Sequence, residues 1–400
     1  MTPRERIIAA LNHKESDRVP IDLGSTESTG ITWIAYNKLK EYLGIQTKTQ
    51  VFDLMQLIAK VEPCVTKAVG SHAVALLIEP KFWKDWEFKK GQVVEVPAKV
   101  NLKKLENGDT VTTNSGGTIL SRLPKGGYYF DSVYHPSGNN DSLDVVETPI
   151  VKEFFKSFDW PQYNDENFSD LKVKAEKLST ETDYAIVGNL WVHLLASAQD
   201  LRGFENFMMD LVVNKKLAHK IFEKQLEAYI PRIDSYIEAV GKYVQIIQVN
   251  DDLGTQNGLQ MRADLYREMV KPYHKRLWKH IKDKSKKPLL LHSCGSIYGL
   301  IPDLIEMEVD ALNPIQVSAA NMDTKKLKKE FGKDITFWGG GCDTQKVLPY
   351  GTEKDVREEV KRRVDDLSSG GGFVFCQVHN IQPDVPIKNI LAMYETLIDI

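Results

Sequence analysis

The chain has 400 residues, 42% hydrophobic and 27% charged, an ordinary globular composition with enough apolar material for a large core. Its 52 Lys and Arg against 55 Asp and Glu leave a net charge of −3, and no basic block interrupts that balance, which argues against a nucleic-acid partner. Four cysteines in 400 residues cannot make a disulfide framework, and no stretch reaches the ~18 apolar residues of a membrane span, so a cytoplasmic protein is expected.

The first expected element is a helix capped by Thr2, with Pro3 at its first position, Glu5 completing a capping box, and Ile7, Ile8 and Leu11 as its apolar stripe. Beyond it, short apolar runs alternate with stretches of helical period. The runs are Val19 to Leu23, Ala73 to Ile78, Ala185 to Leu190, Val244 to Val249, Leu289 to Leu291, Val309 to Leu312, Ile335 to Trp338 and Phe373 to Phe375. Eight strands without polar alternation are strands buried on both faces. Between them lie helices such as Thr352 to Leu367, and a last helix begins at Pro386. The alternation predicts an α/β chain folded as one TIM-type (β/α)8 barrel domain over residues 1–400. Residues 81 to about 135 break the rhythm. Val93 to Val100, an Asn107-Gly108 turn and Thr110 to Leu123 read as a β-hairpin insertion after the second strand, overhanging the barrel mouth.

In such a barrel the chemistry sits where the strands end. The fifth run ends in His292-Ser293-Cys294-Gly295, and side chains two apart on a strand point the same way, so His292 and Cys294 can converge on one soft metal ion. The seventh run ends in Gly339-Gly340-Gly341-Cys342, and the eighth reaches Cys376, followed by His379 and Asn380. Three of four cysteines, Cys294, Cys342 and Cys376, with His292 and His379, fall at strand ends and point to a bound metal ion, zinc being favoured by ligand softness. Cys64 reads as plain packing. The fourth run ends in Asn250-Asp251-Asp252, with Gln256 just beyond; either carboxylate can act as metal ligand, general acid or base, substrate anchor, or helix cap. We take Asp252 and His379 as candidate proton donors, and Asp22, Trp191, Asp251, Gln256 and Asn380 as candidate substrate contacts, with Trp191 and Tyr128-Tyr129 suited to a flat ring. His274 and His280, on a helix rich in Lys and Arg, are expected to face solvent, and His193 shows no partner pattern.

Asp17-Arg18-Val19-Pro20, His292-Ser293-Cys294-Gly295, Trp338-Gly339-Gly340-Gly341-Cys342-Asp343 and Val378-His379-Asn380-Ile381 with Pro386-x-x-Asn389-Ile390 resemble the uroporphyrinogen decarboxylase superfamily. The resemblance covers nearly the whole chain apart from the β insertion and implies a TIM-type barrel, often a homodimer. It implies one of two chemistries: metal-free decarboxylation, or zinc-dependent methyl transfer with a corrinoid-binding protein as partner. The decarboxylases carry an arginine-rich loop after the first strand, whereas residues 19 to 37 here hold no Lys or Arg. The methyltransferase branch implies a His-x-Cys zinc pair matching His292 and Cys294 and a later Cys on strand eight. Here His379 stands at that Cys position and Cys376 lies three residues earlier; Gly339-Gly340-Gly341-Cys342-Asp343 looks like the O-demethylating branch, and that likeness implies zinc held by His292, Cys294 and Cys342, with Cys376 or His379 as rivals for the third place. The expected reaction moves a methyl group from a small methylated substrate, such as a methoxylated aromatic, to the Co(I) corrinoid (cobalamin) of the partner. The alternative runs from methyl-corrinoid to a thiol, as in the coenzyme M enzymes.

Overall fold

A computed structural model describes residues 1–156 and 168–399. Seven parallel strands form one sheet: Ala73–Leu76, Ala185–Asn189, Ile246–Asn250, Leu289–His292, Ala311–Asn313, Thr336–Trp338 and Phe373–Val374, each paired with its neighbours in that order. The segment around Ile21 closes the ring. Its backbone bridges Phe375 on one side, through the Asp22 amide to the Phe375 carbonyl at 2.8 Å, and takes the His72 amide at 2.7 Å on the other. The eight apolar runs thus supply the eight staves of a (β/α)8 barrel, as their two-sided hydrophobicity requires.

Two shells of packing follow from strand alternation. Ala73, Ala185, Val187, Ile246, Leu290, Ala311, Trp338, Val374 and Cys376 fill the barrel, stoppered from below by Ile7 and Ala10 of the first helix. That helix spans Pro3–Leu11 and starts with the Thr2–Glu5 capping box. Arg6 pins it in place, gripping Asp17 with two 2.7 Å bonds and reaching the His72 ring at 3.3 Å. The second shell packs the outward strand residues against the helices.

The stretch after the second stave is β, as expected. It holds an antiparallel hairpin, Trp83–Lys89 with Gln92–Pro97, and a meander of Asn101–Lys104, Thr110–Thr113, Ile119–Leu123 and Asp131–Ser132. Gly108 turns the meander at φ +91°, a conformation side chains with a Cβ resist. The insertion is laid against the mouth by the Phe130 amide, which donates to the Met55 carbonyl at 2.8 Å. Among the described residues no helix is long and apolar enough to cross a membrane.

Candidate metal centre and cavity

Two strand ends are sewn together at the mouth. The Asp251 amide donates to the His292 carbonyl at 2.9 Å, the Leu253 amide to Ser293 Oγ at 3.0 Å, and the Cys294 amide to Asp252 Oδ1 at 2.7 Å. The backbones touch where Gly254 meets Gly295, since a Cβ on Gly295 would lie 2.5 Å from the Gly254 carbonyl carbon, and Gly295 also sits at φ +87°. Only glycine fits there.

This seam sets His292 and Cys294 side by side, Nε2 to Sγ 3.5 Å. With bond lengths usual for zinc, a tetrahedral site puts a sulfur and an imidazole nitrogen roughly 3.5 Å apart. The third donor is His379, whose ring packs edge-on to His292 with centroids 5.9 Å apart; the donor atoms of His292, Cys294 and His379 all lie within 4.8 Å of one another. Asn313 orients the first of them. Its Nδ2 donates to the Trp338 carbonyl at 2.9 Å, so its Oδ1 faces His292 Nδ1 at 2.9 Å and accepts that N–H, leaving the Nε2 lone pair for a metal. Ser28 Oγ donates to the same oxygen. Burial, with His292 alongside, pushes His379 down to about 4, keeping its ring neutral as a ligand requires. Burial and the Asp252 carboxylate push the Cys294 thiol up, so a metal taken up here would displace its proton. Asp252 lies 3.7 Å from His292 Nε2 and remains half exposed, within range of a fourth position or of a bound substrate. The donor set therefore fits zinc.

Cys342 does not reach this triad. Gly339 and Gly340, at φ +104° and +80°, turn the chain and reset the strand alternation, so the Cys342 side chain packs into the layer between strands and helices, where Glu359 and Arg363 are its charged neighbours. Cys376 points into the barrel filling instead. Several expected substrate contacts are likewise structural. Asp22 is buried, accepting Trp338 Nε1 at 2.8 Å and the Ser25 hydroxyl at 2.6 Å. Asp251 accepts three amides, Leu194 at 2.7 Å and Leu195 and Ala196 at 2.9 Å, and so fastens the first turn of the helix Leu195–Arg202. Burial pulls Asp251 upward, but His274, 2.8 Å away, holds it below the usual carboxylate range. His274 is therefore buried rather than solvent-facing, bonded to Tyr266 at 3.0 Å and stacked on Trp278. Gln256 stitches the rim, accepting from Gln316 at 2.9 Å. Asn380 is buried beside the mouth, donating to Gln56 at 2.6 Å and accepting the Tyr129 hydroxyl at 3.3 Å.

His292 and Asp252 stand in the wall of a cavity of about 320 Å³. Trp191, at φ +48°, is among its lining residues, with Phe154 and Tyr229. Glu27, Asp53, Asp200 and His193 line it too and carried no sequence signal, because the first two sit in segments outside the barrel rhythm. Burial raises Asp53 to about 6, although the Met55 amide bonds it at 2.8 Å.

A family model described as uroporphyrinogen decarboxylase (URO-D) matches residues 193–399. A search of curated proteins returned no match. Among solved structures, a methyltransferase from Methanosarcina mazei aligns over 100% of this chain and 99% of its own, with 17% identity and a TM-score of 0.59, a likeness of fold. Xylanase B from Clostridium stercorarium F9 aligns over 62% of this chain and 94% of its own, at 10% identity and a TM-score of 0.38, too distant to inform the site.

Proposed function

The chain belongs to the uroporphyrinogen decarboxylase family, and within that family we propose that it is a zinc-dependent methyltransferase, moving a methyl group from a small methyl ether, such as a methoxylated aromatic, to the Co(I) corrinoid of a partner protein. The observation that carries this reading is the convergence of the donor atoms of His292, Cys294 and His379 within 4.8 Å, with His292 itself in the wall of a ring-sized cavity. Zinc held by these three would act as a Lewis acid toward the ether oxygen, lowering the cost of the charge that develops there. The overall likeness to a methanogen methyltransferase supports the same direction.

The chain's own groups divide the remaining work. Asn313 fixes the His292 ring and leaves its Nε2 facing the donors. Trp191 and Phe154 put aromatic rings in the cavity wall, suited to a ring-shaped substrate. As the methyl carbon leaves, the C–O bonding pair stays on oxygen and the acceptor's electron pair makes the new bond to carbon. The oxygen then takes a proton from solvent, and Asp252, half exposed beside Cys294, is the group placed to relay it.

The family's other chemistry, decarboxylation of a polycarboxylate, is disfavoured: among the described residues lining the cavity none is Lys or Arg, and four are carboxylates. A polyanion there would meet these carboxylates with no lining Lys or Arg to receive it. Transfer in reverse, from methyl-corrinoid to a thiol, would use the same donors; the acidic lining disfavours a sulfonated thiol such as coenzyme M. The test is metal analysis of purified protein, followed by single-turnover methyl transfer from methoxybenzenes to a reduced corrinoid protein. One zinc per chain and transfer are expected; full activity in metal-free protein would overturn the reading.

A further inference from the structure

His193 lines the same cavity as His292 and Asp252, and the fold fixes its backbone from both sides. Before it, the Val192 carbonyl accepts the Asn250 amide at 3.2 Å. After it, the amides of Leu194, Leu195 and Ala196 all donate to the buried Asp251 carboxylate, at 2.7, 2.9 and 2.9 Å, and Asp251 is itself pinned by His274 at 2.8 Å. Two residues upstream, Trp191 sits at φ +48°, a backbone region that costs a bulky side chain energy and persists only where its surroundings enforce it. A turn held this firmly is usual where a side chain must be aimed.

The His193 ring, by contrast, is left open. Among the described residues neither ring nitrogen has a hydrogen-bond partner; the Tyr229 hydroxyl reaches the backbone carbonyl instead, at 3.5 Å, and the residue stays partly accessible. Burial pushes His193 below the usual histidine range against the upward pull of Asp251 and Asp252, so the ring is uncharged at neutral pH. A neutral imidazole carries one N–H, and with no partner on either nitrogen its tautomer is free to turn that proton toward a ligand. Among the described residues His193 is not one of the converging metal donors, which are His292, Cys294 and His379, yet it stands within electrostatic range of His292 and Asp252.

We propose that His193 is a further catalytic residue: its imidazole N–H donates a hydrogen bond to the substrate oxygen that loses the methyl group, beside the metal and without binding it. The identity of that oxygen rests on the methyl-transfer reading; contact between the ring and a ligand in the cavity does not. No proton leaves His193. The C–O pair stays on oxygen as the methyl carbon departs, the N–H meets the growing charge, and the proton that ends on oxygen still comes from solvent through Asp252. The carboxylates of Asp53 and Asp252 line the same cavity and oppose a growing anion, so a fixed donor without charge repulsion of its own is the group such a reaction needs.

Chemical modification of the wild-type chain, without any corrinoid protein, tests the contact. Diethyl pyrocarbonate acylates neutral imidazoles, and the tryptic peptide 178–202 holds His193 as its one histidine. Labelling of that peptide is expected, and 4-methoxytoluene at about 10 mM should slow it at least fivefold. No labelling, or labelling that the ether does not slow, would overturn the proposal. His193→Ala should keep its zinc and its urea midpoint, while single-turnover transfer falls about 10²-fold with little change in the half-saturating ether concentration. Across methoxybenzenes whose phenols differ in acidity, the loss should grow as the phenol becomes the weaker acid, and His193→Gln, which keeps an N–H, should recover part of the rate. A merely structural role would slow every ether alike. Loss of zinc from His193→Ala, an unchanged rate or a uniform loss across the series would equally overturn the proposal. Should the ether protect His193 while the wild type transfers no methyl group to a reduced corrinoid protein, the contact stands and the methyl-transfer reading falls.

Discussion

The carboxylate of Asp252 accepts the backbone amide of Cys294 at 2.7 Å, joining the end of one strand to the donor residue of the next. One oxygen is spent on that bond while the side chain stays half exposed, so the group can support the site and still exchange a proton with a ligand. Asp252→Asn keeps an acceptor for the amide and loses the acid. Zinc content should be unchanged while methyl transfer slows by roughly 10²- to 10⁴-fold, the usual worth of a positioned proton donor. An unchanged single-turnover rate would reduce Asp252 to a structural tie.

The metal assignment separates three sulfur and imidazole positions. Cys294→Ser and His379→Ala should each yield protein that retains little zinc after dialysis. Cys342→Ser should retain it fully, while burying a hydroxyl between strands and helices at a cost of about 1–3 kcal/mol, read as a lower urea midpoint. Asn313→Ala, which frees the His292 ring, should weaken zinc binding about 10- to 100-fold in a competition titration with a chelator.

How much of this was legible in the sequence depends on what fixes each side chain's direction. The eight staves are readable because burial on both faces leaves few polar residues in them and no polar alternation. The His292–Cys294 pair is readable because both lie on one strand end, where alternation holds. Cys342 is not, because Gly339 and Gly340 at positive φ break that alternation just before it. Asp251 and Asp252 are adjacent and so face opposite ways, but nothing in their order says which faces the helix and which the mouth. His274 had a signal that the surrounding Lys and Arg obscured: it shares a stripe with Tyr273, Leu277, Trp278 and Ile281, all buried.

Asp251 provides a stability test independent of chemistry. It is buried, accepts three amides of one helix start and pairs with His274. Asp251→Ala strands all four partners and should cost about 3 kcal/mol or more in urea unfolding. Asp251→Asn, which retains acceptors, should cost clearly less. Equal costs would mean that the amides find water in its place.

Acid should loosen the barrel at its closure. The His72 ring accepts the Ile21 amide at 2.7 Å through Nδ1, which requires that nitrogen to be unprotonated. Burial, reinforced by Arg6 and Arg18, pushes His72 down to about 4. A histidine held neutral in the fold and free to charge when unfolded contributes stability above about pH 6.5 that is lost as pH falls toward 4, up to about 3 kcal/mol. Urea midpoints between pH 7 and 4.5 should fall more steeply in the wild type than in His72→Gln. Parallel slopes would assign the acid sensitivity to other groups.

The first helix stoppers the barrel from below with Ile7 and Ala10. If the chain hands a methyl group to a protein-borne acceptor, small molecule and macromolecule must then share a single doorway. Traffic through one door is ordered: the small molecule enters before the large one covers the threshold, and the demethylated product waits until its visitor departs.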